Sequence, residues 1–292
     1  MANTAVGLIG LAVMGRNLAL NIERNGFPLT VFNRTVARTD EFLSGEAAGT
    51  RICGARTLED FVRGLDRPRR IITMVQAGGG VDNVLETLVP LLQPGDVVMD
   101  GGNSHFKDTN RRFANVSPSG VMFLGTGISG GESGALHGPS IMPGGQVEAY
   151  TAMHPILERI AAVTDDGVCV AYCGALSAGH YVKMVHNGIE YAEMQLISEI
   201  YDLLRKTGKD RDYIEDIFNQ LAESEQGSYL FEITKNIISK KENEDYILDR
   251  ISSLANHKGT GKWTVQAGIE LEIPVPSIAA AFDSRVISHN TL

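Results

Sequence analysis

The sequence is poor in cysteine, with three among its 292 residues: Cys53, Cys169 and Cys173. An odd count without framework spacing excludes a disulfide scaffold. Cys169 and Cys173 lie four apart, with no histidine or second cysteine pair to complete a zinc site. Buried, reduced thiols are expected. No apolar run reaches the roughly 18–20 residues of a membrane helix. The apolar stretch at residues 5–15 has no basic residue before it and no small-residue cleavage site after it, so it does not read as a secretory signal. A soluble, cytoplasmic chain is expected. Basic residues are also in deficit, 26 Lys+Arg against 35 Asp+Glu, for a net charge of −9. That balance argues against a general nucleic-acid binder. With 43% hydrophobic and 21% charged residues, the chain is neither disordered nor a coiled coil.

What is abundant is glycine, 32 residues in all. Most of it falls in residues 1–176, where short apolar runs alternate with helical stretches. Strands are expected at 4–9, 28–33, 70–75, 96–100 and 121–126, and a helix at 17–25. Strands alternating with helices imply a parallel sheet covered on both faces. Residues 177–292 carry almost no strand pattern. A helix of about 30 residues is expected over 177–206, ending at Gly208, followed by helices near 210–222, 228–239, 245–255, 262–272 and 277–288. The expected organisation is therefore an α/β dinucleotide-binding domain of the Rossmann type over 1–176 and an all-helical domain over 177–292. No internal repeat is visible.

Between the first strand and the next helix lies Gly10-Leu11-Ala12-Val13-Met14-Gly15, a G-x-G-x-x-G pattern with Ala at its second position. The first glycine makes the tight turn, the last permits close packing of helix on strand, and the helix N-terminus receives a pyrophosphate. An enzyme that uses NAD ordinarily has Asp or Glu about 20 residues on, to bind the ribose hydroxyl. Asn33-Arg34-Thr35 stands there instead. Arg34 can pair with a 2′-phosphate and its neighbours can hydrogen-bond to it, so NADP is expected over NAD.

Two further glycine clusters follow strands: Gly101-Gly102-Asn103-Ser104 and Ser129-Gly130-Gly131. Both should face the crevice at the carboxyl ends of the strands. The long helix carries Lys183, His186, Asn187 and Glu190, whose spacings of 3, 4 and 7 put them on one face. A lysine and a glutamate near one substrate suit general base and general acid roles. Lys258-Gly-Thr260-Gly-Lys262 lacks the P-loop spacing, but a basic, glycine-rich segment opening a helix suits a substrate phosphate, with Arg285 as a second cation.

These segments resemble the 6-phosphogluconate dehydrogenases, NADP-dependent decarboxylating enzymes of the pentose phosphate pathway and gluconate utilization. The resemblance is carried by GLAVMGRNLALNI (10–22), NRT (33–35), DGGNSHFKDTNRR (100–112), GISGGESGALHGPSIMPGG (127–145), GHYVKMVHNGIEYAEMQLISE (179–199) and KGTGKWT (258–264). It implies that Lys183 takes the proton of the C3 hydroxyl as hydride leaves for the nicotinamide. The resulting 3-keto acid loses carbon dioxide with no need of a metal, and Glu190 protonates the enediol. It implies that Asn103, Ser129, Gly130, Gly131, His186 and Asn187 hold the sugar acid, and that Tyr191, Lys258, Thr260 and Arg285 hold its phosphate. NADP is expected on the loop of residues 10–15, on Asn33, Arg34 and Thr35, and on Val75, Gln76, Ala77 and Asn103. Gln76 stands where the family commonly has Lys. Long-form members carry a second helical repeat and a tail, so this chain is expected to be a short form. One helical repeat should expose an apolar face, and a homodimer is expected to cover it. Two other readings stay open: a β-hydroxyacid dehydrogenase without decarboxylation, and an NADP-binding remnant with little turnover.

Overall fold

The computed structural model describes residues 3–289. From the N-terminus, strands and helices alternate: β1 (Val6–Ile9), α1 (Val13–Arg24), β2 (Leu29–Phe32), α2 (Val36–Ser44), β3 (Cys53–Ala55), α3 (Leu58–Arg63), β4 (Arg70–Thr73), α4 (Gly79–Leu88), β5 (Val97–Asp100), α5 (Phe106–Val116), β6 (Met122–Ser129), α6 (Gly131–His137), β7 (Ser140–Gly145) and α7 (Val147–Ile160). The seven strands form one sheet in the order β3-β2-β1-β4-β5-β6-β7. The first six run parallel, and β7 returns antiparallel to β6, with Ile128 opposite Ile141. Strand β1 is buried at all four positions, as a central strand covered on both faces must be. Its neighbours are β2 and β4, so the strand order reverses at β1. In doubly wound sheets the carboxyl ends at such a reversal bound a nucleotide crevice.

Two apolar cores sandwich the sheet. One packs Leu8, Val31 and Met99 against Leu18 and Ile22 of α1 and Met153 and Leu157 of α7. The other packs Ile9, Ile71 and Val98 against Phe61 of α3 and Leu85 of α4. A short hairpin follows, β8 (Val163–Thr164) with β9 (Gly167–Val168), and then α8 (Ala178–Lys206). Gly208, at φ +79°, closes that helix, with Arg205 and Lys206 in its last turn where the dipole favours cations.

The chain divides into two units, Met1–Met184 and Val185–Leu292. Sequence spacing puts the boundary at 176, ahead of the helix. The division falls inside α8 because the helix's first turns belong to the sheet's packing. A Cβ on Gly179 would lie 2.2 Å from the Met142 carbonyl oxygen and 2.3 Å from that of Gly125, so only glycine permits this approach.

Within the second unit α9 (Arg211–Glu223), α10 (Tyr229–Ser239), α11 (Thr260–Glu270) and α12 (Pro276–Ser288) follow the rest of α8. Asp210 and Ser228 cap α9 and α10 by accepting the amides of Tyr213 and Phe231. Ile214, Phe218 and Ile238 form the buried centre.

Several expectations need correction. The sheet is mixed, not wholly parallel. β7 was hidden by Pro143 and two glycines, which an edge strand tolerates. No helix spans 245–255. There β10 (Lys241–Glu242) pairs with β11 (Asp245–Tyr246), and one 3-10 turn follows at Ile247–Asp249. Arg205 and Arg211 both reach Asp249 there, and Arg211 lies 4.0 Å over the Tyr246 ring. These side-chain contacts hold the turn in place of a helix. Helix α1 starts four residues before the expected 17, at Val13. All three cysteines are unpaired but half-buried rather than buried.

Candidate functional site

The loop from β1 to α1 is shaped for a dinucleotide. Gly10 has φ +105°, and a Cβ there would lie 2.4 Å from the Met74 carbonyl oxygen. A Cβ on Gly15 would lie 1.9 Å from the Gly10 carbonyl oxygen. No side chain caps α1: Ala12 holds the cap position in extended conformation. Its first amides are therefore left for an anion. Leu11 is buried, Met14 partly so, and Ala12 and Val13 are exposed. The Asn33 side chain is committed to the chain itself: Oδ1 accepts the Leu11 amide at 3.1 Å and Nδ2 donates to the Thr35 carbonyl at 3.0 Å. It ties the glycine loop to the end of β2. Arg34 and Thr35 are exposed, and among the described residues no hydrogen bond or ion pair engages the Arg34 guanidinium. A glycine turn, an uncapped helix and an available arginine at the adjacent strand end together fit NADP.

At the ends of β4 and β5 the sheet presents two more loops. Val75 and Ala77 are partly buried, whereas Gln76 and Asn103 are exposed. Ser129 closes β6, and Gly130 and Gly131 open α6 with positive φ. Lys183, three residues beyond His180 on α8, is 6% exposed, and its Nζ donates to Ser129 Oγ at 2.9 Å. The close approach is again glycine's doing: a Cβ on Gly127 would lie 2.3 Å from that of Lys183.

The sequence reading missed a buried polar cluster under these loops. Arg112 of α5 is 1% exposed. Its Nε donates to Asp82 Oδ1 at 2.7 Å, one terminal nitrogen to Ser104 Oγ at 3.0 Å and the other to the Gly78 carbonyl at 2.9 Å. Ser104 in turn donates to Asp100 Oδ2 at 2.6 Å. Hydrogen bonding from Arg112, reinforced by Arg111, pulls the Asp82 carboxyl down to about 2 from 3.8, against the upward effect of burial. His180 is fully buried, with Nδ1 2.7 Å from Thr109 Oγ1. Burial holds its imidazole below the usual range. One signal was available in the sequence. The buried face of α5 is Thr109, Arg112 and Val116, so an arginine sits at a core position of the helical period.

In the second unit the His186 and Glu190 side chains pair across one turn of α8, Nδ1 to Oε2 at 3.2 Å. Asn187 Nδ2 donates to Thr260 Oγ1 at 3.3 Å. The Arg285 guanidinium lies 3.9 Å over the Tyr191 ring and donates to the Asn256 carbonyl at 2.8 Å. Asn187, Tyr191, Thr260 and Arg285 are thus brought together where α8, α11 and α12 meet. Lys258 is exposed and takes no part in these contacts.

Comparison with known proteins accounts for both units. Residues 5–174 match the family model described as the NAD binding domain of 6-phosphogluconate dehydrogenase, and residues 179–291 match that of the 6-phosphogluconate dehydrogenase C-terminal domain. A decarboxylating 6-phosphogluconate dehydrogenase of Synechococcus elongatus is 52% identical over 99% of the chain, and an NADP(+)-dependent, decarboxylating one of Bacillus subtilis is 49% identical, again over 99%. The 6-phosphogluconate dehydrogenase of Plasmodium falciparum, solved apo, with NADP+ and with 6-phosphogluconate, superposes with a TM-score of 0.92 at 42% identity over 97% of the chain. The chain spans 62% of the length of each of these three proteins. With family models matching on both sides of the start of α8 and overall identity near one half over 99% of the chain, the chain belongs to the 6-phosphogluconate dehydrogenase family.

Proposed function

We propose that this chain carries out NADP-dependent oxidative decarboxylation of 6-phosphogluconate to ribulose 5-phosphate and carbon dioxide. The observation that carries the reading is Lys183: a lysine drawn out of solvent and held on Ser129 by a helix that only glycines allow so near the sheet. A structural lysine would more commonly keep its head in water.

The residues then divide the work. Lys183 accepts the proton of the substrate's C3 hydroxyl, and Ser129 holds the amine where that proton is delivered. NADP, when bound, supplies the hydride acceptor, on the loop of residues 10–15 with Arg34 at its 2′-phosphate. The 3-keto acid formed is its own electron sink, so the carboxylate leaves as carbon dioxide and an enediol remains. Glu190, oriented by its contact with His186, returns a proton to that enediol. Asn103, Gly130, Gly131 and Asn187 bind the carboxylate and hydroxyls. Arg285, braced on Tyr191, takes the phosphate with Lys258 and Thr260.

The test is to incubate the chain with 6-phosphogluconate and NADP, following NADPH and carbon dioxide together while measuring NADP binding separately. Equal amounts of both products support the reading. NADPH without carbon dioxide would show a plain β-hydroxyacid dehydrogenase, and NADP binding without either product a remnant.

Two accompanying proposals concern setting and assembly. Three unpaired cysteines suit a reducing compartment, and the proposed location is cytoplasmic. Among the described residues no helix is long and apolar enough to cross a membrane. Ile189, Leu196, Ile200 and Leu203 are exposed along one side of α8, which supports a homodimer that covers this stripe. Sedimentation of a strict monomer across concentrations would overturn the dimer.

A further inference from the structure

We propose that Arg112 is a positioning residue. Its guanidinium is a buried clamp that sets the loop after β4 against the loop after β5, and so the cofactor contacts of residues 75–77 against Asn103. The roles of those loops rest on the functional reading above; the clamp itself rests on geometry.

Arg112 grips the β4 side twice, at Asp82 Oδ1 (2.7 Å) and at the Gly78 carbonyl (2.9 Å). It grips the β5 side through Ser104 Oγ (3.0 Å). Asp100 completes that side. Its Oδ2 lies 3.6 Å from the guanidinium and accepts the Ser104 hydroxyl, while its Oδ1 accepts the Gly102 amide at 3.0 Å. One rigid, planar group therefore joins two segments, 78–82 and 100–104, that are well separated in sequence. No lysine reproduces this, because an ammonium has no fixed fork of donors. A fully buried arginine is a costly way to fill space unless its charge is paired. Here the contacts go to Asp82 in the first turn of α4, to the loop residues Gly78 and Ser104 at the carboxyl edge of the sheet, and to the carboxylate that ends β5. His180 enters the same region from α8. Held neutral by burial, it adds no second charge beside Arg112.

The clamp predicts a particular pattern of loosening, read by hydrogen–deuterium exchange on the full chain. Arg112→Lys should speed exchange in residues 76–82 and in 100–106 together, by about tenfold or more, with β1 and β2 unchanged. Ser104→Ala, which opens one arm, should loosen 100–106 alone; Asp82→Asn should loosen 76–82 alone. The two single-arm variants decide the matter if Arg112→Lys does not fold. Unchanged protection in either segment of the lysine variant, an equal loss throughout the first unit, or spread of each single-arm effect to both loops overturns the clamp. NADP binding is measured in parallel, and its dissociation constant should rise about tenfold or more in Arg112→Lys. If the unmodified chain does not bind NADP, the functional reading fails, while the exchange pattern still decides the clamp. If the unmodified chain binds and Arg112→Lys binds equally well, the positioning role is overturned.

Discussion

In the first unit the charges around the proposed base lie inside the fold, and Arg34 alone of its proposed ligand-binding charges is exposed; in the second the corresponding charges lie at the edge. Lys183, Arg112 and Asp100 are buried, each on partners supplied by the sheet or its loops. Glu190, Tyr191 and Arg285 are half-exposed and are oriented chiefly by one another and by their immediate neighbours, while Lys258 is open to solvent. The cores differ in the same sense. The sheet carries an extensive apolar layer on each face, whereas the second unit centres on Ile214, Phe218 and Ile238. The first unit thus presents groups already fixed by packing, which suits bond making and breaking. Beside the proposed acid Glu190, the second offers cations that still have hydration to give up, which suits capture of an anion.

The contrast is broken most directly at Lys183. Lys183→Met should lower NADPH formation by about 10²–10⁴-fold, the usual worth of a positioned base, while NADP affinity is retained. Substantial turnover in the variant would remove the base from the first unit. Next comes the thinner core. Phe218→Ala should cost about 3–5 kcal/mol. Because the damage falls on the small centre of the second unit, NADP binding should survive at temperatures where that unit's share of the helicity is already lost. Thermal unfolding followed by circular dichroism and by cofactor binding would test this; coincident loss of both signals would show that the units do not melt apart. Arg34→Ala is a smaller effect on the first unit. It removes a charge-assisted contact worth about tenfold or more in NADP affinity and should leave NAD affinity nearly unchanged. Equal affinity of the unmodified chain for NADP and NAD would refute the assignment of Arg34.

The same contrast explains what could be read without coordinates. The strand–glycine–helix start, the long helix and its Lys183 face were legible because period and glycine spacing are local properties. The placement of Arg34 just after β2 was legible because strand and loop spacing fix it. Strand β7 was not: Pro143 and the glycines around it read as a turn, and only pairing along β6 makes Ser140–Gly145 a strand. The helix expected at 245–255 failed for a similar reason, since Asp249 is claimed by two arginines distant in sequence. Arg112 is not readily legible as a core residue, although it stands in the segment 100–112. A charged residue is ordinarily solvated, and nothing local says that Asp82, some thirty residues earlier, comes to meet it. From sequence Asn33 reads as a ligand contact, and its bonds to the loop at Leu11 depend equally on tertiary placement. Its part in binding is thereby proposed to be the shaping of that loop.

The smallest effect expected is also the one that separates buried from exposed charge most cleanly. The Asp82 carboxyl is held down at about 2 by Arg112 and then Arg111, from 3.8. A carboxyl whose value is lower folded than unfolded favours the fold when ionised. Its contribution is therefore full above about pH 4 and fades as pH falls from 3.8 towards about 2. Asp82 is partly open to water, with a quarter of its side chain exposed, so about 1–2 kcal/mol is the expected size. Asp82→Asn should lose that much at neutral pH, with the gap to the unmodified chain narrowing through this window. Asp249 offers the matched control in the second unit. Its carboxyl is also lowered, by Arg211 and then Arg205, but it is more exposed and its pair is screened by salt. Denaturant midpoints at low and high salt should show Asp249→Asn losing most of its smaller effect in salt while Asp82→Asn keeps its own. If both effects vanish alike, the charges under the two loops are no better shielded than those at the surface, and the distinction between the units does not extend to their electrostatics.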